Sequence, residues 1–154
     1  MIEMMRAGIE VSHSVDTMVA ADNSDMFALL RTTMLLQRGR FQDPTVYTPD
    51  QVLKQATIGG ARALGLDRIT GSIVPGKRAD IILVRTDDLN MAPLNVPDAQ
   101  IVLAAQPRNV DSVWIDGHLR KQHGELLDTN VRGLVAAASV AVKELARRIG
   151  EPVT

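Results

Sequence analysis

The residues able to do chemistry are few: 154 residues hold three histidines and no cysteine. The most informative acid is Asp16. It closes the run Gly8-Ile9-Glu10-Val11-Ser12-His13-Ser14-Val15-Asp16, in which residue character alternates. Ile9, Val11 and Val15 share one face, and Glu10, Ser12, Ser14 and Asp16 share the other. A carboxylate at the end of a half-polar strand can take a proton, join other donors around a cation, or accept the bond that caps the following turn. One carboxylate does not by itself make a hydrolytic metal site. His13 falls on the apolar face by parity, which points to packing against a helix. His118 follows a turn glycine and His123 lies in a polar loop, so both are expected in solvent. No pair of histidines is spaced His-x-His or at i, i+4 on a helix. Ser12 and Ser14 have no histidine on their own face, which leaves a Ser-His-Asp triad without support. Thr17 and Asn23 follow the run, where they could touch a substrate or only shape a turn.

Other charged features read as structural. Gly76-Lys77-Arg78 lacks the phosphate-loop pattern, and no helix follows it, so a surface turn is expected. Asp80 precedes an apolar strand and reads as a turn or strand-edge carboxylate. Met4, Met5, Met18, Met26 and Met34 suit a core or an interface. Arg147-Arg148 complement a helix C-terminus.

These residues need elements to position them. The Gly8–Asp16 run is expected as a strand. Asp22, Asn23 and Ser24 offer caps for a helix carrying Met26, Leu29, Leu30, Thr33, Met34 and Gln37, with Gly39 as its stop. Thr48-Pro49-Asp50-Gln51 is a capping box that starts a helix with Val52, Leu53 and Ala56 on its apolar face. Gly59-Gly60 breaks that helix or admits a close neighbour, and a short helix ends at Gly65. Beyond it, Pro75-Gly76 is a turn and Ala79–Val84 reads as a strand buried on both faces. Ile101–Ala105 is apolar and fits helix or strand. Val110–Ile115 and His118–Gln122 flank Asp116-Gly117, a type I′ hairpin dipeptide. Val131–Ile149 is a helix capped by Thr129 or Asn130, with an apolar stripe of Leu134, Ala138, Val142, Leu145 and Ile149.

Composition limits the classes. Without cysteine there is no disulfide scaffold, no thiolate nucleophile and no thiolate zinc site. Seventeen basic and eighteen acidic residues are interspersed, for a formal net charge of −1, which argues against nucleic acid or an anionic membrane as partner. The start carries Glu3 and no apolar core of a signal peptide, and Leu134–Val142 is about half a membrane span. The expectation is a cytoplasmic protein.

Three blocks together resemble the C-terminal third of the amidohydrolase superfamily, in its cytosine deaminase and triazine or adenosine deaminase-like branch. They are "GIEVSHSVDTMVAADNSDMF" from Gly8, "TPDQVLKQATIGGARALGL" from Thr48, and "GSIVPGKRADIILV" from Gly71 with "VDSVWIDGHLRKQHGEL" from Val110. The resemblance implies an α+β arrangement: the last strand and helices of a (β/α)₈ barrel, the C-terminal half of a small β-sandwich, and a terminal helix. It divides the chain into a barrel end at 1–66, a sandwich portion at 67–128 and a helix at 129–154. A whole barrel needs about 250 residues, so the chain reads as a fragment.

The same resemblance gives Asp16 its role, a metal ligand that also takes a proton from the attacking water. It implies a divalent metal, zinc or iron, in the intact family, whose His-x-His pair and two later histidine ligands belong upstream of these residues. The implied reaction is hydrolysis of a C–N bond on a cyclic, nucleobase- or triazine-like small-molecule substrate, with the chain alone inactive and without bound metal. The alternative is a non-enzymatic structural or interaction domain. In either case an unpaired strand edge and an open sandwich favour a homo-oligomer.

Overall fold

The computed structural model describes residues 1–16 and 23–150, arranged as a helical layer and a four-stranded antiparallel sheet. The helical layer begins with α1, Ile2–Arg6, and α2, Met26–Phe41. A second helical run follows: α3, Pro49–Lys54, passes through one π-helical turn, Gln55–Gly59, into α4, Gly60–Ala63. The core forms where these meet α5, Pro97–Ala104: Ile2, Leu30, Met34, Tyr47, Val52 and Val102 are all buried there.

The start of α3 is fixed as its sequence dictates. The Gln51 amide donates to the Thr48 hydroxyl at 3.4 Å, and the Thr48 amide donates to Gln51 Oε1 at 2.9 Å. Both orphan donors of the first turn are thereby satisfied. Asp25, rather than Asp22, Asn23 or Ser24, caps α2 by accepting from the Ala28 amide at 3.2 Å. Gly39 does not stop that helix. An exposed glycine costs about 1 kcal/mol in a helix interior, and the helix runs on to Phe41, ending at Gln42 in the left-handed region. Nor do Gly59 and Gly60 break the second run. Gly59 instead admits a close neighbour: a Cβ there would lie 3.6 Å from the Val11 carbonyl oxygen and 3.5 Å from Glu10 Oε1.

The sheet is a meander of β1, Ile81–Val84, β2, Val110–Ile115, β3, His118–Gln122, and β4, Glu125–Leu126. Ile81 lies opposite Trp114, and a bulge follows Leu83. Asp116 (φ 52°) and Gly117 (φ 78°) both take the positive φ that a type I′ turn requires. The undecided Ile101–Ala105 stretch is helical as part of α5, started by Pro97 at its first turn. That helix sits between β1 and β2 in sequence and reaches the helical layer, where Arg31 Nη2 donates to the Ala105 carbonyl at 2.8 Å.

Three expectations are corrected. Residues 9–16 form no strand, because no described strand pairs with them. The strand expected to be buried on both faces leaves the consecutive Ile82 and Leu83, which point to opposite faces, about half exposed, because the described residues cover neither position fully. The final helix, α6, Val131–Ile149, is capped by Asn130 as its sequence indicates, but its stripe is uncovered: Leu134, Val142, Leu145 and Ile149 are 56–64% exposed.

The core assignment predicts an asymmetry. Met34→Ala removes a fully buried side chain and is expected to cost about 2–5 kcal/mol in urea unfolding. Leu89→Ala, at an exposed site, is expected to stay within about 0.5 kcal/mol of the parent.

Candidate functional site

Asp16 stands at the end of the extended 9–16 segment with its side chain exposed. Its amide donates to Ser14 Oγ at 3.1 Å, and its φ of 60° lies in the left-handed region that aspartate tolerates better than most side chains. The chain therefore turns at Asp16. The period-two pattern survives without a ladder: Val11, His13 and Val15 are half-buried, while Ser12, Ser14 and Asp16 are exposed.

His13 lies on the packed side, as its parity indicates, and its partner is specific. Its Nε2 is 2.6 Å from the Tyr47 hydroxyl. Tyr47 is buried, and its hydroxyl donates to Gln55 Oε1. Gln55 Nε2 in turn donates to Met5 Sδ at 3.0 Å. A phenol has a single proton. Since Tyr47 spends it on Gln55, the His13 ring must donate from Nε2 and keep its lone pair on Nδ1. Burial sets the ionisation: it lowers the His13 pKa and raises that of Tyr47, because a charge in a partly desolvated site is disfavoured. The row of bonds is neutral at neutral pH. It borders an open cleft of about 430 Å³ lined by Met5, Ile9, Glu10, Lys54, Gln55 and Arg62.

Tyr47 and Gln55 are absent from the candidates drawn from sequence. A signal existed for Gln55: it is a polar residue one turn after Val52, on the apolar face of its helix. Tyr47 is the sole tyrosine and directly precedes the capping box, but nothing local indicates what its hydroxyl meets.

The other candidates divide cleanly. Asn23 Oδ1 accepts from the Asp25 amide at 2.7 Å, a turn role; Thr17 lies outside the described residues, as does Met18. Lys77 Nζ donates to the Asp67 carbonyl, to the Thr70 carbonyl at 3.1 Å and to Ser72 Oγ at 2.7 Å, so the ammonium is committed to its own turn. Asp80 accepts from Thr70 Oγ1 and from the Asp116 amide, each at 2.7 Å, and the bond from Thr70 is the main cause of its depressed pKa. It pins the β2–β3 hairpin to the loop before β1. His118 is exposed on β3, and His123 Nδ1 lies 3.8 Å from Asp111 Oδ1 at a largely exposed turn.

Among the described residues, no group of three or more His, Asp or Glu side chains is placed to hold a metal ion. Asp16 offers one oxygen donor, whereas a catalytic zinc site takes about three protein ligands. These residues do not make a metal centre by themselves.

Comparison with known proteins defines the class. The Amidohydrolase family model matches residues 1–120, and the chain belongs to that family. Among curated proteins it is 40% identical over 124 residues to a 5-methylthioadenosine/S-adenosylhomocysteine deaminase of Moorella thermoacetica, covering 80% of this chain and 29% of that protein. It is 35% identical over 142 residues to a 5′-deoxyadenosine deaminase of Methanothermobacter thermautotrophicus, covering 92% and 33%. A crystal structure of an adenosine deaminase from Xanthomonas campestris with bound zinc superposes with a TM-score of 0.91 at 32% identity, over 95% of this chain and 33% of that one. An atrazine chlorohydrolase from Arthrobacter aurescens complexed with zinc shares the fold, with a TM-score of 0.81 at 22% identity over 90% and 31%. The sheet and helices thus fit part of the amidohydrolase fold. The chain spans about a third of the length of the curated relatives it matches.

A pH test follows from the His13 environment. Its lowered pKa means that the unfolded chain takes up protons first as pH falls below about 6.5. Stability is therefore complete above that pH and declines as pH drops toward the folded-state value. Asp43, Asp80, Asp88, Asp111 and Glu144 are held low mainly by side-chain hydrogen bonds and lose their contributions in a separate window, below about pH 4. The urea midpoint is expected to fall between about pH 7.5 and pH 5.5 in the parent, and to fall less in His13→Gln.

Proposed function

We propose that these residues serve as the carboxyl-side portion of a metal-dependent deaminase acting on a purine-like ring. The observation that carries this reading is the 40% identity over 124 residues to the 5-methylthioadenosine/S-adenosylhomocysteine deaminase of Moorella thermoacetica. In this reading residues 1–66 form the end of a hydrolase barrel, 67–128 a share of a β-sandwich and 129–154 a terminal helix. The division is supported by the confinement of the helical layer's first part to residues before 64 and of the sheet to residues 81–126.

The reaction is hydrolytic. A water oxygen bonds to the ring carbon that carries the exocyclic amine, the C–N bond breaks, and ammonia leaves. A divalent metal, if held by Asp16 together with further ligands, would supply the Lewis acidity that brings the pKa of water to about 7. Asp16 accepts a proton from the water and passes it to the departing nitrogen, which its exposed position at the turn permits. Asp16 would also supply one oxygen ligand to that metal, the others coming from outside these residues, and the isolated chain is expected to show no turnover of its own.

A second reading, a self-associating structural domain, is favoured by one observation. Ile82 and Leu83 on β1 are half exposed and the stripe of α6 is open to solvent, and exposed apolar surface of this kind drives association. Light scattering at micromolar concentration is expected to return a dimer or larger mass; a monodisperse monomer counts against it.

The enzymatic reading is tested by grafting. Residues 1–127 replace the matching segment of the Moorella deaminase, and zinc content and ammonia release from 5′-methylthioadenosine are measured. The graft is expected to turn over. Asp16→Asn in the graft is expected to lower kcat by about 10²–10⁴-fold with an unchanged circular dichroism spectrum. Full activity in Asp16→Asn, or metal-dependent turnover by the 154-residue chain alone, ends the assignment.

A further inference from the structure

The 9–16 segment carries the site's carboxylate, yet no described strand pairs with it. Its backbone is tied near its start, where the Ile9 amide donates to the Met4 carbonyl at 3.0 Å. Val11 passes close over Gly59. Beyond that, among the described residues, the side-chain hydrogen bond that attaches it to the helical layer is His13 to Tyr47.

Tyr47 is an anchor of unusual fixity. It is 1% exposed, its backbone takes a φ of 58°, and it adjoins the Thr48 capping box. Its hydroxyl is also held by Gln55, which the helix positions and Met5 engages from α1. A rotating or exposed hydroxyl would cost His13 ordering entropy; this one is ordered already. From His13 to Asp16 an extended chain spans only about 10 Å, and the Asp16-to-Ser14 bond consumes part of that reach.

We propose that His13 is the positioning residue of the site: its bond to Tyr47, backed by Gln55 and Met5, sets where Asp16 stands. The functional weight of this proposal rests on the reading of Asp16 given above. The tether itself is read without metal or substrate, so its failure and the failure of that reading are separate results.

Solution NMR on the full 154-residue chain tests it. Long-range ¹H–¹⁵N spectra of the parent are expected to show the Nε2–H tautomer of His13, with residues 13–16 ordered at S² near 0.85. Tyr47→Phe removes the acceptor, and His13→Leu removes the donor. In each, S² of residues 13–16 is expected to drop below about 0.6 while the amides of Met34 and Val52 keep their exchange protection. His13→Gln places an N–H close to where the imidazole Nε2 stood and is expected to restore the order. An Nδ1–H tautomer in the parent overturns the proposal, as does unchanged order in Tyr47→Phe or failure of the glutamine to rescue. Should His13→Leu not fold, the parent tautomer and the Tyr47→Phe order decide the matter. Loss of turnover in the Asp16→Asn graft remains the separate measure of what Asp16 does.

Discussion

A carboxylate at the end of a segment without ladder partners can be placed only by what the segment's other side touches, and residues 9–16 are built around that constraint. In a sheet, backbone bonds to two neighbours would fix Asp16 within a fraction of an ångström. Here the work falls to the half-buried positions, Val11, His13 and Val15. Valine contacts are apolar and non-directional, so they resist lifting more than sliding. A hydrogen bond from His13 to a buried phenol resists both. The absence of a side chain at Gly59 matters for the same reason, since a Cβ there would press within 3.2 Å of the Lys54 carbonyl and crowd the passage of Val11.

The anchor owes its rigidity to elements far apart in sequence. Tyr47 precedes α3, whose start is sealed by the Thr48–Gln51 box. Gln55 opens the π turn, and the wider turn presents its amide toward both the phenol and Met5. Buried polar groups of this kind are costly unless satisfied, and here each is. Val102 of α5 is buried in the same core as Tyr47 and Val52. Because α5 lies between β1 and β2, the sheet is coupled to the helical layer through the core it completes.

Much of this was legible in the sequence, and the parts that were not have physical reasons. The capping box, the type I′ turn, the Asn130 cap and the amidohydrolase resemblance depend on short-range chemistry or on the order of blocks, and each reads directly. The parity of His13 was legible too, but its partner was not, because Tyr47 is 34 residues away. The strand at 9–16 and the two-sided burial of Ile82 and Leu83 were misread for one common reason. A pattern of apolar residues reports the environment a segment is built for, and in this chain the neighbours that would provide it are not among the described residues. The exposed stripe of α6 says the same of a helix. Gly39 shows the opposite error, a residue type given more weight than its exposed position warrants.

These mismatches bear on how the chemistry is divided. A metal-ligand set must be held within tenths of an ångström, and such precision requires that every ligand's support be rigid. The described residues invest a buried tyrosine, a helix-borne glutamine and a histidine in the segment that ends at Asp16, the one donor that the proposed function assigns to them. Sequence patterns built for burial stay open on β1 and α6, whereas the 9–16 segment has its polar tether among the described residues. The support for the segment thus comes from elements far apart in sequence, yet all of it lies among the described residues, whereas the cover for β1 and α6 does not. Under the function proposed above, that combination suits a divided site: a carboxylate positioned before its co-ligands arrive, on a chain whose open apolar faces remain free to be covered.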